Sequence, residues 1–250
     1  MSAAPADLPR LPAGSPADSR ERLSRLAELL AEDAGAPSSV RGLGEVLKVH
    51  IADSLSGLEA APLASVARTG SGEPGEPRVR VGDVGSGAGL PGLVLAVVLP
   101  WAQVDLIEAT SRKCEFIARA VNAVGAANAT VVCERAETWA AEGPVAGGRE
   151  SYDVITARAV GRLAMLAELA SPLLRRGGAL VAWKGERDGD EEAELERASE
   201  GLAMRPLEVV DVVPYAGSRR RHLHVVEKCG PTPAQLPRRP GMAKKRALRG

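Results

Sequence analysis

A chain of 250 residues, 45% hydrophobic and with acids and bases in balance, is long enough to bury one sizeable core with a small accessory segment beside it. Its longest apolar run, residues 93–99, is too short to span a bilayer. The Ala- and Pro-rich start has no apolar stretch resembling a secretion signal, which predicts a cytoplasmic protein without membrane contact. Three scattered cysteines (Cys114, Cys133 and Cys229) form no Cys-x-x-Cys pair and argue against a disulfide framework. Three histidines without ligand spacing leave metal chemistry without support.

Residues 1–18, "MSAAPADLPRLPAGSPAD", lack periodicity and are predicted to be disordered. Ser19 is placed to cap a helix through "RERLSRLAELLAEDAG", with Leu23, Leu26, Leu29 and Leu30 on one face. A second helical stretch covers about 40–60, so residues 19–67 read as a small helical cap. "RTGSGEPGEP", 68–77, reads as a linker.

From 78 to 230 strands and helices alternate. Strands are predicted at 78–84, 102–108, 129–134 and 152–158, with helices after the first two. Pro91 suits a helix start and Gly125 a helix stop. "LAMLAELASPLLRRGG" reads as a helix closed by its double glycine, followed by the strand "ALVAWKG". This alternation predicts a parallel sheet covered on both faces. After an acidic helix, "LEVVDVVPYAG" and "RHLHVVEKC" are joined too tightly for a helical crossover and should pair antiparallel. The fold class is therefore α/β, Rossmann-like, with seven strands, mostly parallel, ending in an antiparallel hairpin. Residues 231–250 hold six basic residues and no acid, a predicted disordered tail suited to a polyanion, and leave the first 230 with an equal acidic excess.

The chemistry-bearing stretch is "DVGSGAGLPG", 83–92. Gly85, Gly87 and Gly89 follow a strand whose carboxyl end holds Asp83, the place where open α/β sheets bind ligands. Gly87 to Gly92 matches the dinucleotide pattern G-x-G-x-x-G, but the strand ends at Val84, two residues too early for that register. Read from Asp83 the pattern is D-x-G-x-G-x-G, which resembles the first motif of S-adenosylmethionine-dependent methyltransferases, whose cofactor carries a methionine ammonium better served by an acid near Asp83. Glu108, ending the second strand, can accept from two ribose hydroxyls of either cofactor type. Ala136 and Glu137 stand where such enzymes contact adenine. An NAD(P)-dependent oxidoreductase and a non-catalytic RNA-binding module stay open as alternatives.

Taken in order, "DVGSGAGLPGLVLAVVLP", "LIEATSRKCEFI", "RAETW", "YDVITARAV" and "GGALVAWKG" resemble the bacterial 16S ribosomal RNA guanine-N7 methyltransferase family, also called glucose-inhibited division protein B. "HIADSL", 50–55, and "RRRHLHVVEK" extend the likeness over about 20–228. The resemblance implies donor-binding positions at Gly85, Leu90, Ala136, Glu137 and Arg158. It implies RNA contact at Arg112 and Lys113, which reverse the family's lysine–arginine order. Glu108 stands where the family usually has Asp, and Ala157 replaces a usual Ser. The implied target is a guanine in the 530 loop of 16S ribosomal RNA, free or in a small-subunit precursor.

Guanine N7 has an in-plane lone pair and needs no general base, in keeping with the lack of a His–Asp or Cys–His constellation. Arg158 and Lys184 are the candidates for fixing the base. In the tail, Arg238, Arg239, Lys244, Lys245 and Arg246 are the candidate phosphate contacts. His50 and Asp53 are read as tying the cap to the main domain, and Trp101, Trp139 and Trp183 as packing residues. The chain is read as a monomer.

Overall fold

The computed structural model describes residues 8–68, 79–143, 147–245 and 248. The expected linker therefore lies outside the described residues, apart from its first residue, Arg68.

Seven strands form one sheet: β1 (Arg80–Val84), β2 (Gln103–Ile107), β3 (Ala129–Val132), β4 (Tyr152–Arg158), β5 (Leu174–Lys184), β6 (Met204–Asp211) and β7 (His222–Lys228). Their order is β3-β2-β1-β4-β5-β7-β6. The first five are parallel, and β7 pairs antiparallel with both β5 and β6, as the tight connection required. Because β1 has β2 on one flank and β4 on the other, the strand order reverses there and opens a crevice at the strands' carboxyl ends.

Two apolar layers sandwich the sheet. One is built from α5 (Gly92–Val98), α6 (Ser111–Val124) and the N-terminal helices α1 (Ser19–Glu32) and α4 (Ala61–Arg68). The other comprises α7 (Ala136–Ala141), α8 (Leu163–Ala170) and α9 (Gly189–Ser199). The N-terminal segment thus shares one continuous core with the sheet rather than having a core of its own. Leu23, Leu26 and Leu30 of α1 are fully buried there, as their spacing predicts. Ser19 is not the cap: it is the first helical residue, and its hydroxyl donates to the Val97 carbonyl at 3.3 Å. Between α1 and α4 the chain is helical from Leu43 to Glu59, as α2 (Leu43–Val46), a π-helical turn at Leu47–Ala52, α3 (Asp53–Leu55) and a 3₁₀ turn at Ser56–Glu59.

Four expectations need correction. Residues 8–18 are ordered against α5: Leu8 is buried and the Ser15 hydroxyl donates to the Val98 carbonyl at 2.9 Å. Residues 1–7 lie outside the described residues. The double glycine does not close a helix. Helix α8 stops at Ala170, and Gly177 and Gly178 lie inside β5 beside a bulge, where a Cβ on Gly178 would sit 2.9 Å from the carbonyl oxygens of Tyr152 and Asp153. Cys114 and Cys133 form a disulfide with Cα atoms 5.8 Å apart. They are 19 residues apart in sequence, yet they follow the adjacent strands β2 and β3, which is why the spacing conceals the pair.

The tail is the fourth. Arg238 forms a bidentate pair with buried Glu168, 2.6 Å in each arm, and Leu236 is buried in the second layer. Buried Lys228 donates to the Ser171 carbonyl and to the Thr232 hydroxyl at 2.8 Å, and Thr232 donates to Glu150. Residues 231–245 are therefore a packed segment, ending in the short helix α10 (Met242–Lys245). Arg246 lies outside the described residues.

One buried amide holds the α5–β2 corner. Asn128 Nδ2 donates to the carbonyls of Ala96, Leu99 and Ala102 at 2.9–3.1 Å. Asn128→Ala removes this shared donor, leaving the Leu99 carbonyl only the Ala102 N–H at 3.0 Å, and is expected to cost about 2 kcal/mol, read as a lower urea midpoint at unchanged m value.

Candidate functional site

The glycine turn owes its shape to Asp83. This fully buried carboxylate accepts from the Ser86 hydroxyl, from Thr156 Oγ1 on β4 at 2.8 Å and from the Gly92 N–H at 3.0 Å. Burial pushes its carboxyl above the usual range, while those three donors and Arg158 pull the other way. These three contacts are all to the protein's own turn, β4 and α5, which corrects the expectation that Asp83 is a cofactor-binding residue. Instead it pins the turn to β4 and to the start of α5. Gly85, Gly87 and Gly89 have φ of +71°, +60° and +85°, open only to glycine without strain. At Gly85 a Cβ would also lie 2.6 Å from Val160.

Glu108 follows the last residue of β2 and is 5% exposed. Its two oxygens accept from the N–H groups of Gly87 and Thr110 at 3.0 and 2.9 Å, with the Lys113 ammonium 3.8 Å away. The carboxylate therefore couples the glycine turn to the start of α6. Arg112 beside Lys113 is exposed.

Two clefts meet at Gly85, Lys113 and Ala159. The smaller, about 370 Å³, is bounded by Glu108, Ala136, Glu137 and Met165, together with Gly241 and Ala243 from the tail. The larger, about 550 Å³, runs from Gly87, Ala88 and Leu90 towards the helical cap and is lined by His50, Asp53, Arg158, Lys184 and Arg221. Ala159, at the junction, takes a left-handed φ of +57°, a strained conformation where two clefts join.

Sequence-derived candidates fall into three groups. Gly85, Gly87, Leu90, Glu108, Ala136, Glu137, Arg158 and Lys184 all border the clefts, whereas Asp83 and Gly89 lie behind them. Arg158 is held by Asp53 of the cap at 2.8 Å, with the Arg221 Nε at 3.7 Å from the same carboxylate. The Lys184 ammonium bonds Glu191 at 2.6 Å and the Gly161 carbonyl at 3.0 Å, so both cations are fixed in place. In the tail, Arg239, Lys244 and Lys245 are exposed, but Arg238 is committed to Glu168. Trp101, Trp139 and Trp183 each donate their indole N–H to an internal acceptor, in keeping with packing roles.

The sequence reading missed the cap as a wall of the site. Ser38, His50 and Arg221 line the larger cleft, and the Arg221 Nε is buried without a hydrogen-bond partner. The "HIADSL" element was the available signal, because it puts His50 and Asp53 about one helical turn apart. His50 bonds the Ser38 hydroxyl at 2.7 Å, and desolvation, reinforced by Arg158, drops its pKa to about 4. It is neutral near pH 7.

A model of one family, described as rRNA small subunit methyltransferase G, matches residues 21–223. The chain belongs to that family. Among relatives of the methyltransferase G family, the protein named Ribosomal RNA small subunit methyltransferase G from Rubrobacter xylanophilus is 41% identical over 242 residues, covering 93% of this chain and 86% of its own. The Pelotomaculum thermopropionicum protein of the same name is 35% identical, covering 84% and 82%. A predicted O-methyltransferase from Agrobacterium tumefaciens, 24% identical with a TM-score of 0.51 over 70% of this chain and 79% of its own, shares the fold. Membership of a methyltransferase family makes the chain an enzyme and sets aside the oxidoreductase and binding-module readings.

Two outcomes follow from the cap–sheet junction. Asp53→Ala strands the partly buried Arg158 and Arg221 and is expected to cost about 3 kcal/mol in chemical denaturation. His50 has a folded pKa below its unfolded value, so the unfolded chain binds the extra proton between pH 6.5 and about 4. Stability contributed here is therefore lost as pH falls through that window, and His50→Gln should flatten the dependence of melting temperature on pH there.

Proposed function

We propose that this methyltransferase takes its methyl group from S-adenosylmethionine and places it on N7 of a guanine in the 530 loop of 16S ribosomal RNA, the position usually numbered 527. The observation that carries this reading is the pair of clefts joined at Gly85. One is bounded by an acid at the end of β2, and the other is lined by fixed cations.

The residues present fit the donor. At Gly85 a side chain would collide with Val160 and narrow the junction of the two clefts. Glu108 offers carboxylate oxygens to ribose hydroxyls, and Ala136 and Glu137 border the space for adenine. Gly85, Gly87 and Leu90 border the half that runs towards the cap, where the methionine portion belongs. When bound there, S-adenosylmethionine supplies an electrophilic methyl carbon.

The protein's own part in the reaction is placement. N7 carries a lone pair in the ring plane, so no side chain has to remove a proton before attack. His50, neutral and bonded to Ser38, is not needed as a base. Arg158, oriented by Asp53, and Lys184, oriented by Glu191, are the proposed donors to guanine O6. The Arg221 Nε, which faces Asp53 at 3.7 Å but makes no hydrogen bond, is a further proposed donor for the RNA. Holding N7 in line with the methyl carbon and excluding water then supply most of the rate. The exposed Arg112, Arg239, Lys244 and Lys245, with the half-buried Lys113 at the cleft junction, are proposed phosphate contacts, which set affinity without reading sequence.

Tritiated methyl transfer to small-subunit particles from cells lacking the modification, followed by mapping of the labelled nucleotide, tests the assignment. Label on the 530-loop guanine is expected; label on any other nucleotide would overturn it. Glu108→Ala should raise KM for the donor about tenfold with kcat little changed. Arg158→Ala should instead lower kcat by about a hundredfold, the split expected for a group that acts on the target base.

A further inference from the structure

The basic tail does more in this structure than carry charge. Leaving β7, it is fastened four times before it reaches the clefts. Thr232 is held by Lys228 and Glu150, the Leu236 side chain is buried, and the Leu236 carbonyl accepts from Arg149 at 3.2 Å. Arg238 clamps Glu168, which is 3% exposed. Past that clamp the Gly241 N–H donates to Glu137 Oε1 at 2.7 Å, and Gly241, Ala243 and Lys244 line the smaller cleft together with Met165 and Leu169. Glu168 also accepts from the Leu248 N–H at 3.2 Å, so the chain is tied on both sides of α10.

We propose that residues 241–244 are the outer wall of the nucleoside half of the donor pocket, making the tail a donor-binding element. This rests on the reading of the smaller cleft as the adenine site.

The chemistry of the wall suits a flat heteroaromatic ring. Met165 and Leu169 of α8 supply polarisable and apolar surface, and the small, buried Ala243 of the adjoining α10 adds to the same lining. Glu137 fills two roles. One oxygen takes the Gly241 N–H, which fixes the carboxylate at the pocket edge, where it can accept from an exocyclic amine. Arg238 is the positioning residue: its guanidinium touches no part of the pocket but holds the segment that does. A ligand that contacts both α8 and residues 241–244 bridges the tail to the sheet, so donor binding and tail closure reinforce each other.

The test uses the full chain and three probes: S-adenosylhomocysteine, 5′-methylthioadenosine and methionine. Trypsin cleavage after the exposed Lys244 and Lys245 reports closure. S-adenosylhomocysteine and 5′-methylthioadenosine are expected to slow it about tenfold, and methionine not at all, because only the nucleoside half meets the tail. Calorimetry then compares Arg238→Ala, which releases the clamp, with Ala243→Phe, which fills the pocket wall and leaves the clamp intact. Each should raise the Kd for S-adenosylhomocysteine about tenfold; Arg238→Ala also lowers the melting temperature, because Glu168 is left buried without its partner, so Ala243→Phe, with the clamp intact, is the variant that separates the pocket effect from the stability effect. If the unaltered chain binds S-adenosylhomocysteine but cleavage and both Kd values are unchanged, the tail is no part of the pocket and the donor reading survives. Equal protection by methionine would also overturn the proposal, by moving the tail to the other half. Absence of any S-adenosylhomocysteine binding to the unaltered chain would sink the donor reading and this inference together.

Discussion

Everything at the cleft depends on a carboxylate that never reaches it. Asp83 lies under the glycine turn with three donors converging on it, one from the turn itself, one from β4 and one from the first residue of α5. A carboxyl group in so dry a place is tolerated because donors from three directions satisfy it. The result is a rigid knot that fixes where β1 ends, how α5 departs and how far apart β1 and β4 stand. Gly92 is part of the same constraint, since a Cβ there would sit 2.7 Å from the Asp83 Cβ and 2.5 Å from Leu106. Chemistry above the turn can be varied by changing residues around it, but the knot beneath has no slack.

An ion pair gives the site its far wall. Asp53 comes from the N-terminal helices and Arg158 from the end of β4, 105 residues later. Their contact joins the layer over the sheet to the crevice at its edge. The Trp183 indole N–H donates to the Asp53 carbonyl at 2.9 Å, and a Cβ on Gly57 would strike that ring at 2.1 Å. The approach of cap to sheet is therefore set by close packing on one side and charge on the other. His50 sits in a π-helical turn just before Asp53, an irregularity often found where a helix contributes to a site.

How much of this was legible depended on how far the responsible contacts reach along the chain. Strand positions 80–84, 103–107 and 152–158 could be read because their residues alternate or run apolar between turn signals, and the hairpin because its connection is short. Glu108 and the glycine positions could be read because a strand end followed by glycines has few structural meanings. Asp83 was noticed but misdirected: sequence gives an acid its place along the chain, not the side to which it turns. The Cys114–Cys133 pair and the β5 bulge were hidden because each depends on which strands become neighbours. The tail misled for a different reason. Its composition is that of a solvated segment, yet single residues in it find specific partners: Leu236 a hydrophobic niche, Arg238 a buried acid, Gly241 a carboxylate. Composition averages over such contacts and so cannot foresee them.

The antiparallel direction of β7 carries a consequence for how the enzyme comes into being. Lys228 ends that strand near the amino edge of β5, whereas Glu137 lies beyond the opposite, carboxyl edge. The segment after Lys228 must therefore travel back along the height of the sheet before Gly241 meets Glu137. During translation the glycine turn and its acid emerge early, but one side of the smaller cleft is missing until the ribosome has passed codon 241. A nascent or prematurely terminated chain can thus be folded across most of its sheet and still have that cleft open to solvent.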